Sequence, residues 1–398
     1  MDSKDFQILI NSNNYKGQIF INGSDEDLFY EIKNFDESMF FGILSFIKKN
    51  DSSTKVHINE ELAFIDQTID FKINLSNCIF NELIIFRNCI LTEDTDFKDS
   101  VFNKKANFKN TKFNKKVRFH RSVFNKTVSF DNTTFKDLAD FYDVTFNNIQ
   151  RFVLTDFLGI TIFSHVKFNH QVQFIYNKTS KDTIVSFENA EFKQSLDISR
   201  ANFWCKLNFW SAKINTSPSE LWLYETDSVE KKDNLKHKKA YKVLRETYRI
   251  IKDVFQKEGN NIEAISYYMK EMSAYESELK INKNESKFEE RLALFFNKQS
   301  NEFGTSWTTG LIFTVIVTVF FYSLFLIFLS DELSFDCSWD SAGSLIKHFL
   351  EFLNITKWDI KPFGVDFKWA YIFLFVGRIF IGYGYYQTIQ AFRKYGKS

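Results

Sequence analysis

The sequence predicts a β-helical rod that is joined through a helical neck to a membrane module with two transmembrane helices. Three observations lead to this prediction. Regularly spaced phenylalanines fill the middle of the chain, proline and glycine are scarce at 2 and 13 residues against 49 phenylalanines, and an uncharged run extends from Trp307 to Leu329. A chain of 398 residues exceeds one compact core, so we expect two or three folding units.

Composition excludes several classes of protein. With 44% apolar and 25% charged residues the chain is neither disordered nor collagen-like. The 51 basic and 50 acidic side chains balance, so any site for polyanions must be local. The four cysteines form no CxxC motif, which argues against a metal knuckle or a disulfide framework.

The phenylalanine ladder has strictly alternating steps of five and six residues. Such steps scatter side chains around an α-helix, so a helical stripe does not explain them. The frame extends back to Ile58 and, after a two-residue slip before Phe187, forward to Ile214. Its unbroken part consists of Phe97, Phe102, Phe108, Phe113, Phe119, Phe124, Phe130, Phe135, Phe141, Phe146, Phe152, Phe157, Phe163, Phe168 and Phe174.

A second register of small or apolar side chains lies two positions before each ladder residue, as at Thr95, Ser100 and Ala106. Residues two apart on a short strand point to the same face, so both registers face inward and the residue between them faces outward. Cys78 and Cys89 fall in the second register, and we expect them to be buried packing thiols.

This pattern resembles the pentapeptide-repeat family, in the variant where segments of five and six residues alternate, over residues 58–214. The resemblance implies a right-handed quadrilateral β-helix. Four segments make a coil of 22 residues, so Phe97 should stack on Phe119 in a dry column. About seven such coils are expected.

Residues 1–57 lack the ladder and are predicted to form a small α/β N-terminal cap. QILIN and GQIFING are typical of short strands, and Ser24 is placed to cap a helical stretch that continues through Lys49. A cap would cover the unpaired strand edges of the first coil. The alternative is a module that docks a partner.

Residues 215–305 are predicted to form a helical hairpin neck. Apolar residues step by three and four from Tyr241 to Phe255, Gly259 ends that helix, and a second helix carries Ile262 and Leu279 among its apolar positions. The segment resembles the helical hairpin that follows pentapeptide repeats in a group of bacterial membrane proteins.

Residues 306–398 are predicted to cross the membrane twice. The run from Trp307 to Leu329 is long enough to span a bilayer. The second candidate, Trp369 to Phe392, contains Arg378, which should face a helix interface or water and is interpreted as a barrier or interface contact. Three glycines are interpreted as the site of a gating bend: Gly377, Gly382 and Gly384.

Flanking charges predict the orientation of the two spans. Acidic residues follow the first span, whereas basic residues precede it and follow the second. By the positive-inside rule both termini and the β-helix are cytoplasmic. The resemblance to bacterial membrane proteins implies the inner (plasma) membrane of a bacterium.

The segment between the spans is predicted to contain a re-entrant loop, residues 341–365, that begins with a short apolar helix from Ala342 to Leu353. This layout is that of a two-helix ion-channel subunit. The potassium-filter motif TVGYG is absent, and the filter-like stretch contains Thr356, Lys357, Trp358 and Asp359. The sequence therefore leaves a potassium-selective and a weakly selective pore as equal alternatives, with a simple hairpin anchor as the alternative to a pore.

A basic belt surrounds part of the ladder, because no acidic residue occurs between Ser100 and Phe130. It is either a solvated surface balanced by acids elsewhere or a site for the phosphates of a nucleotide, an oligonucleotide or a lipid. The residues assigned to an anionic ligand are Lys104, Lys105, Lys115, Lys116, Arg118, Arg121 and Lys126, with Lys109, Lys112 and His120 nearby.

No catalytic motif occurs and the six histidines are scattered, so we expect neither an enzyme nor a bound cofactor or metal. The function expected is a ligand- or partner-gated membrane channel assembled from several copies, with four as the guess. Its build resembles membrane effectors of bacterial phage-defence operons, which implies a nucleotide or single-stranded nucleic-acid signal or an operon-encoded protein partner. The alternative is a membrane-anchored β-helix scaffold that recruits a partner without conducting ions.

Overall fold

The computed structural model describes residues 18–22, 29–33, 37–50, 53–215, 233–281, 288–328, 339–357 and 369–395. The chain divides into two compact units, Met1–Val254 and Phe255–Ser398. The first contains a parallel β-solenoid of about eight turns and the second contains helices. The β-solenoid and the C-terminal helical region are therefore confirmed, whereas the right-handed quadrilateral form of the coil and the two-span membrane domain stay predictions.

The strands of the solenoid lie in four sheets, because each strand pairs in parallel with the one a coil later, as Phe102 does with Phe124. Sheet A has ten strands, the first two from the N-terminal region: β1 Gln18–Asn22, β2 Phe29–Lys33, β3 Lys55–Ile58, β7 Cys78–Phe80, β11 Val101–Phe102, β15 Val123–Phe124, β19 Thr145–Phe146, β23 Lys167–Phe168, β26 Glu191–Phe192 and β29 Lys213–Ile214.

The other three sheets complete each coil. Sheet B consists of β4 Leu62–Ile65, β8 Ile84–Arg87, β12 Ala106–Asn107, β16 Val128–Ser129, β20 Gln150–Val153, β24 Val172–Lys178 and β27 Leu196–Asn202. Sheet C consists of β5 Thr68–Ile69, β9 Ile90–Leu91, β13 Lys112–Phe113, β17 Thr134–Phe135 and β21 Asp156–Phe157. Sheet D consists of β6 Ile73–Asn74, β10 Thr95–Asp96, β14 Val117–Arg118, β18 Ala139–Asp140, β22 Thr161–Ile162, β25 Ile184–Ser186 and β28 Lys206–Asn208.

The ladder rings form stacked columns inside the solenoid, as the spacing predicts. Phe97 and Phe119 are parallel to within 1° with centroids 4.9 Å apart, and Phe119 stacks on Phe141 at 5.1 Å. The predicted burial of Cys78 and Cys89 is also confirmed. Burial raises the pKa of the Cys78 thiol to about 12, so it is protonated and inert at neutral pH.

Alternate corners of the coil contain one residue in the left-handed region, which explains why segments of five and six residues alternate. These residues recur every eleven positions from Asp66 to Tyr176, and most of them are Asn or Asp, the side chains that tolerate this conformation best. The next residue inward is often Ser or Thr, and its hydroxyl donates to a carbonyl of the preceding coil. Ser122 Oγ, for example, donates to the Phe97 oxygen at 2.6 Å.

The N-terminal region contains a strand where the sequence predicted a helix. Residues Phe29–Lys33 form β2, which pairs with β1 on one side and with β3 on the other. Tyr30 and Ile32 are buried, so this segment alternates as a strand does, and the edge of the first coil supplies its hydrogen-bonding partner. Helix α1, Glu37–Asn50, follows, and its Phe41 stacks on Phe64 of the first coil at 4.9 Å. QILIN lies outside the described residues.

The two-residue slip is accommodated inside the stack without breaking it. Phe163 stacks on Phe187, which is 24 residues later, with centroids 5.2 Å apart. The strand β24 between them is unusually long and pairs with β27 through shifted registers. From Phe187 to Phe209 the 22-residue spacing is restored.

Helix α2, Asp233–Lys257, follows the solenoid, and the part in the first unit packs on it. Leu244, Tyr248 and Ile251 are buried, in agreement with the predicted amphipathic face. The backbone N–H of Ile198 in β27 donates to Thr247 Oγ1 at 3.4 Å. The helix therefore supplies hydrogen-bonding partners to a strand of the last coils.

The described residues of the second unit form the end of α2 and five further helices: α3 Asn261–Ile281, α4 Phe288–Asn301, α5 Trp307–Ile327, α6 Trp339–Leu353 and α7 Ala370–Tyr395. Gly259 is left-handed and separates α2 from α3, and Phe255 stacks on Tyr267 at 5.6 Å. The buried face of α3 is formed by small and aromatic residues such as Ala264 and Tyr267, whereas Ile262 is 74% exposed. Ile262, one of the apolar positions of this helix in the sequence, therefore lies outside its packed face.

Candidate functional site

Helices α5 and α7 pack against each other in an antiparallel hairpin at very short range. Gly310 of α5 faces Thr388 of α7, while Gly384 of α7 faces Thr314 of α5. A Cβ added at Gly384 would clash with Thr314 Oγ1, so a glycine is required for this contact. The hydroxyls along α5 bond within their own helix, as Thr318 Oγ1 does to the Thr314 oxygen at 2.6 Å. The seam therefore contains polar groups that are satisfied.

The three glycines predicted to form a bend lie in a continuous helix, because α7 extends without interruption from Ala370 to Tyr395. Gly377 and Gly384 both allow close approach to α5, and a Cβ at Gly377 would lie 2.8 Å from Phe321 Cβ. Gly382 has no neighbour within 4 Å of the position of its Cβ. The structure therefore assigns a packing role to two of the glycines and leaves Gly382 as the one with room to change.

The short helix α6 is attached to both neighbouring helices through its own carbonyl groups. Arg378 Nη2 donates to the Glu351 oxygen at 3.3 Å, and Tyr385 Oη donates to the Leu353 oxygen at 3.0 Å. From α5, Tyr322 Oη donates to the Leu345 oxygen at 3.0 Å. Because the last carbonyls of a helix lack partners within it, the bonds to Glu351 and Leu353 hold the C-terminal end of α6 in place, and the bond to Leu345 holds its middle.

An apolar cluster supports the same arrangement. Phe352 of α6 is fully buried between Tyr322 and Phe325 of α5, with ring centroids 5.6 Å away in both cases. Leu374 and Ile381 of α7 belong to this cluster. Arg378 is only 3% exposed, so its predicted contact is with α6 of the same chain.

The filter-like stretch begins just beyond α6. Thr356 forms a turn in which its backbone N–H and its hydroxyl both bond to Asn354 Oδ1, at 3.0 and 2.7 Å. Lys357 Nζ lies 2.6 Å from Glu351 Oε1, and His348 Nδ1 lies 3.1 Å from the other oxygen of that carboxylate. Trp358 and Asp359 lie outside the described residues.

Helices α5 and α7 present apolar side chains away from their seam. Of the helices in the described part of the chain, only α5 is long and apolar enough to cross a bilayer. Helix α7 has 26 residues, enough to span, but it is more polar, so the second span stays a prediction. The exposed apolar residues of the hairpin include Leu311, Ile312, Val315, Ile316, Val319, Phe320, Ile372, Phe375, Ile379, Ile389 and Phe392.

A polar joint links α4 to the hairpin. Asn301, the last residue of α4, is fully buried, and its Nδ2 donates to the Gln387 carbonyl of α7 at 3.1 Å and also to the Gln387 side chain. Its Oδ1 accepts from the Gly304 N–H at 2.6 Å. Sequence reasoning missed this joint, although an asparagine between a helix and a left-handed glycine is a signal for a cap.

The basic belt encircles the solenoid, so its members do not converge on one site. On sheet D and at the corner that follows it, acids of the adjacent coils neutralise the belt. Arg118 lies between Asp96 and Asp140, and Arg121 forms a bidentate pair with Asp99 at 2.6 and 2.9 Å. Hydrogen bonds from Arg121 hold the pKa of Asp99 below its usual range.

A second group of belt residues lies on the sides of the solenoid near sheet C. Lys112 is an exposed residue of β13, and Lys115 and Lys116 lie at the corner that leads into sheet D. The backbone N–H of Lys116 donates to Asp94 Oδ1 at 3.3 Å, so an acidic side chain of the preceding coil is adjacent. Lys116 therefore has a carboxylate of the preceding coil close by.

A third group of belt residues lies at the corner between sheets A and B, where Lys104, Lys105 and Lys126 are exposed. Lys126 lies one coil beyond Lys104, so the two ammonium groups occupy the same column. None of the three forms an ion pair with another described residue. These three of the seven residues assigned from the sequence to an anionic ligand lie together on one corner.

No cluster of three or more His, Cys, Asp or Glu residues able to hold a metal ion occurs in the described ranges. In comparisons with known proteins, residues 86–134 and 130–176 match the family described as pentapeptide repeats (9 copies). No curated protein and no solved structure gives a significant match to the chain.

Proposed function

We propose that this chain, a pentapeptide-repeat protein with a C-terminal helical region, is a membrane protein whose helices α5 to α7 assemble in several copies around an ion-conducting pore that the β-solenoid controls. The arrangement of α6 supports the proposal most directly. A short helix that does not cross the bilayer is tolerated at membrane depth only where protein or water satisfies its backbone. Here Arg378, Tyr385 and Tyr322 bind its carbonyls.

The free face of α6 is consistent with a position beside a water-filled path. Gly343, Ile346, Lys347 and Leu350 line an open groove with Glu351 and Lys357, on the side away from the buried Phe352. A single hairpin with one short helix cannot enclose a path, so several copies are required. Four copies is the number we propose.

The exposed apolar residues of α5 and α7 would face lipid or neighbouring copies. In the proposed orientation both termini and the β-solenoid lie in the cytoplasm of a bacterium, and the module lies in the inner membrane. The trigger is an anionic ligand or a protein partner bound by the solenoid, and the role is membrane permeabilisation in phage defence. The proposal assigns no catalytic step to the chain.

Ion flux from liposomes that contain the purified full-length protein tests the pore. Flux is expected for the wild type and should change when Arg378→Met releases the end of α6. Arg393→Met, which removes an exposed cation of the same helix, is the matched control and should leave flux unchanged. Absence of flux from correctly oligomeric wild-type protein would contradict the pore. Identical flux in all three proteins would contradict the role of Arg378 in holding the end of α6.

The alternative function is a membrane-anchored scaffold that recruits a partner. One observation favours it: α5 is the only described helix that meets the criteria for a span. A scaffold predicts no flux under any condition and normal folding of Arg378→Met. The flux measurement therefore separates the two proposals.

A further inference from the structure

Sheet B of the solenoid has a depression on its outer surface, adjacent to the positive corner. Its volume is about 540 Å³. The depression exists because the outward residues of the two middle coils, Asn107 and Ser129, are small, whereas Ile85 lies one coil before them and Arg151 one coil after. These four side chains form one column, and the depression extends over three coil steps, or about 14 Å.

The chemistry of the lining is mixed in a way that suits a small organic phosphate. Lys105 and Arg151 supply two cationic groups on different coils, and Asn107, Thr127, Ser129 and Asn148 supply amide and hydroxyl groups. Apolar surface comes from Leu83 and Ile85 at one end and from Ile149 at the other. Phosphate oxygens pair with Lys and Arg, whereas a flat ring is better placed against aliphatic side chains.

Asp131, on the remaining side of the depression, disfavours a simple anion and favours a ligand that also carries hydrogen-bond donors. A nucleotide has all three features, namely a phosphate, a ring and donors on its sugar and base. A long polyanion is disfavoured, because Glu82 precedes Lys104 in the same column of the corner and closed ends limit the depression to about 14 Å.

We infer that this depression on sheet B is the ligand site of the solenoid and that it binds one mononucleotide per chain, with Lys105 and Arg151 on the phosphate. The inference deepens the proposed function, since it places the anionic trigger of the pore. The proposed site therefore occupies one face of the solenoid and not the whole basic belt. Lys104 and Lys126 lie at its rim, where their positive charge attracts an anionic ligand.

Equilibrium dialysis of the full-length, detergent-solubilised protein with radiolabelled AMP and ATP tests the inference. Saturable binding of one nucleotide per chain is expected, with weaker binding of inorganic phosphate alone. Lys105→Gln and Arg151→Gln should each weaken binding about tenfold or more, as expected for a lost charge-assisted hydrogen bond. Thr127→Trp should abolish binding by filling the depression, since Thr127 is exposed and makes no hydrogen bond with other described side chains.

Lys112→Gln is the matched control, because it removes the same charge from an exposed lysine of sheet C. It should bind nucleotide as the wild type does. The inference is overturned if neither nucleotide binds at about 1 mM, if Lys112→Gln weakens binding as much as Lys105→Gln, or if a single-stranded oligonucleotide binds more tightly and is unaffected by Thr127→Trp.

Binding and flux fail independently. Flux without nucleotide binding would overturn the ligand site and leave the pore proposal intact. Nucleotide binding that Thr127→Trp abolishes, in a protein without flux, would support the ligand site and overturn the pore.

Discussion

Replacing Leu154 by asparagine should stabilise the solenoid, although it removes an apolar side chain. Leu154 has a φ of 52°, in the left-handed region that costs an ordinary residue about 1–2 kcal/mol and that asparagine tolerates better. It also continues a column in which amide side chains bond from coil to coil, with Asn110 Nδ2 to Asn88 Oδ1 at 2.8 Å and Asn132 Nδ2 to Asn110 Oδ1 at 3.0 Å.

The free energies lost and gained on replacing Leu154 by asparagine are of comparable size, and their sum favours the folded state. Leu154 is 49% exposed, so loss of its remaining burial costs about 1 kcal/mol. Relief of backbone strain stabilises the folded state by about 1 kcal/mol, and a new hydrogen bond from the introduced amide to Asn132 stabilises it by about another 1 kcal/mol. The net gain of about 1 kcal/mol corresponds to a rise in Tm of about 2–4 °C for a unit of this size.

Thermal unfolding of the full-length protein, followed by the circular dichroism of the β-sheet, measures this effect. Ile160→Asn is the matched control, because Ile160 is 50% exposed but is not left-handed. The control should lose about 1 kcal/mol. If Leu154→Asn is destabilised as much as Ile160→Asn, neither strain relief nor the amide column contributes and the reasoning is refuted.

Three further predictions concern other contacts. Gly384→Ala should destabilise the α5–α7 hairpin by about 1–3 kcal/mol, because its Cβ would meet Thr314, whereas Gly382→Ala should be neutral or stabilising. Thermal unfolding in detergent compares the two variants. An equal loss of stability in both would contradict the close packing at Gly384. Thr133→Val should cost about 1–2 kcal/mol, because Thr133 Oγ1 donates to the buried Phe108 oxygen at 2.7 Å, and an unchanged Tm would argue against this bond. Asp99→Asn should lower the Tm at neutral pH by about 1–2 °C. The pKa of Asp99 is depressed in the folded protein, so its contribution to stability is present above the ordinary carboxyl pKa and is lost as pH falls through the depressed value. The difference in Tm between Asp99→Asn and the wild type should therefore vanish in acid. A difference in Tm that stays constant with pH would contradict this prediction.

The coil was predictable from the sequence because each turn repeats the same spacing of inward-facing side chains. Inward aromatic rings at alternating five- and six-residue steps admit one regular stack, and the stack tolerates the insertion before Phe187 since neighbouring coils supply the register. The strand Phe29–Lys33 was not predictable from its own residues. It exists because β3 offers an unpaired edge, which is a property of the folded coil.

In the candidate sites, too, contacts set by the repeat were predictable from the sequence, whereas contacts set by tertiary packing were not. Pairing of Arg121 with Asp99 could have been read from the 22-residue repeat, since the two residues are one coil apart. The roles of Gly377 and Gly384 could not, because they depend on which side chains of α5 lie opposite. The depression on sheet B required the repeat as well as the sizes of side chains in four successive coils.

Selectivity of the proposed pore follows from how the end of α6 is bound. Free carbonyls at the C-terminus of a helix carry partial negative charge and attract cations. In α6 this end is occupied, because Arg378 and Tyr385 bind the carbonyls of Glu351 and Leu353, and Lys357 pairs with the Glu351 carboxylate. The chain also lacks a TVGYG motif, whose carbonyl groups would coordinate potassium in place of the bound carbonyls of α6. We therefore expect potassium and sodium to be conducted almost equally.

Reversal potentials under a potassium–sodium gradient in planar bilayers measure this property. A value near zero is expected for the wild type. Under a concentration gradient of potassium chloride, which compares cation with anion permeability, Arg378→Met should shift the reversal potential towards that of a more cation-selective pore, because it frees the Glu351 carbonyl at the negative end of α6. Strong selectivity for potassium in the wild type would mean that residues beyond Lys357 form the filter and that the bound end of α6 does not govern permeation.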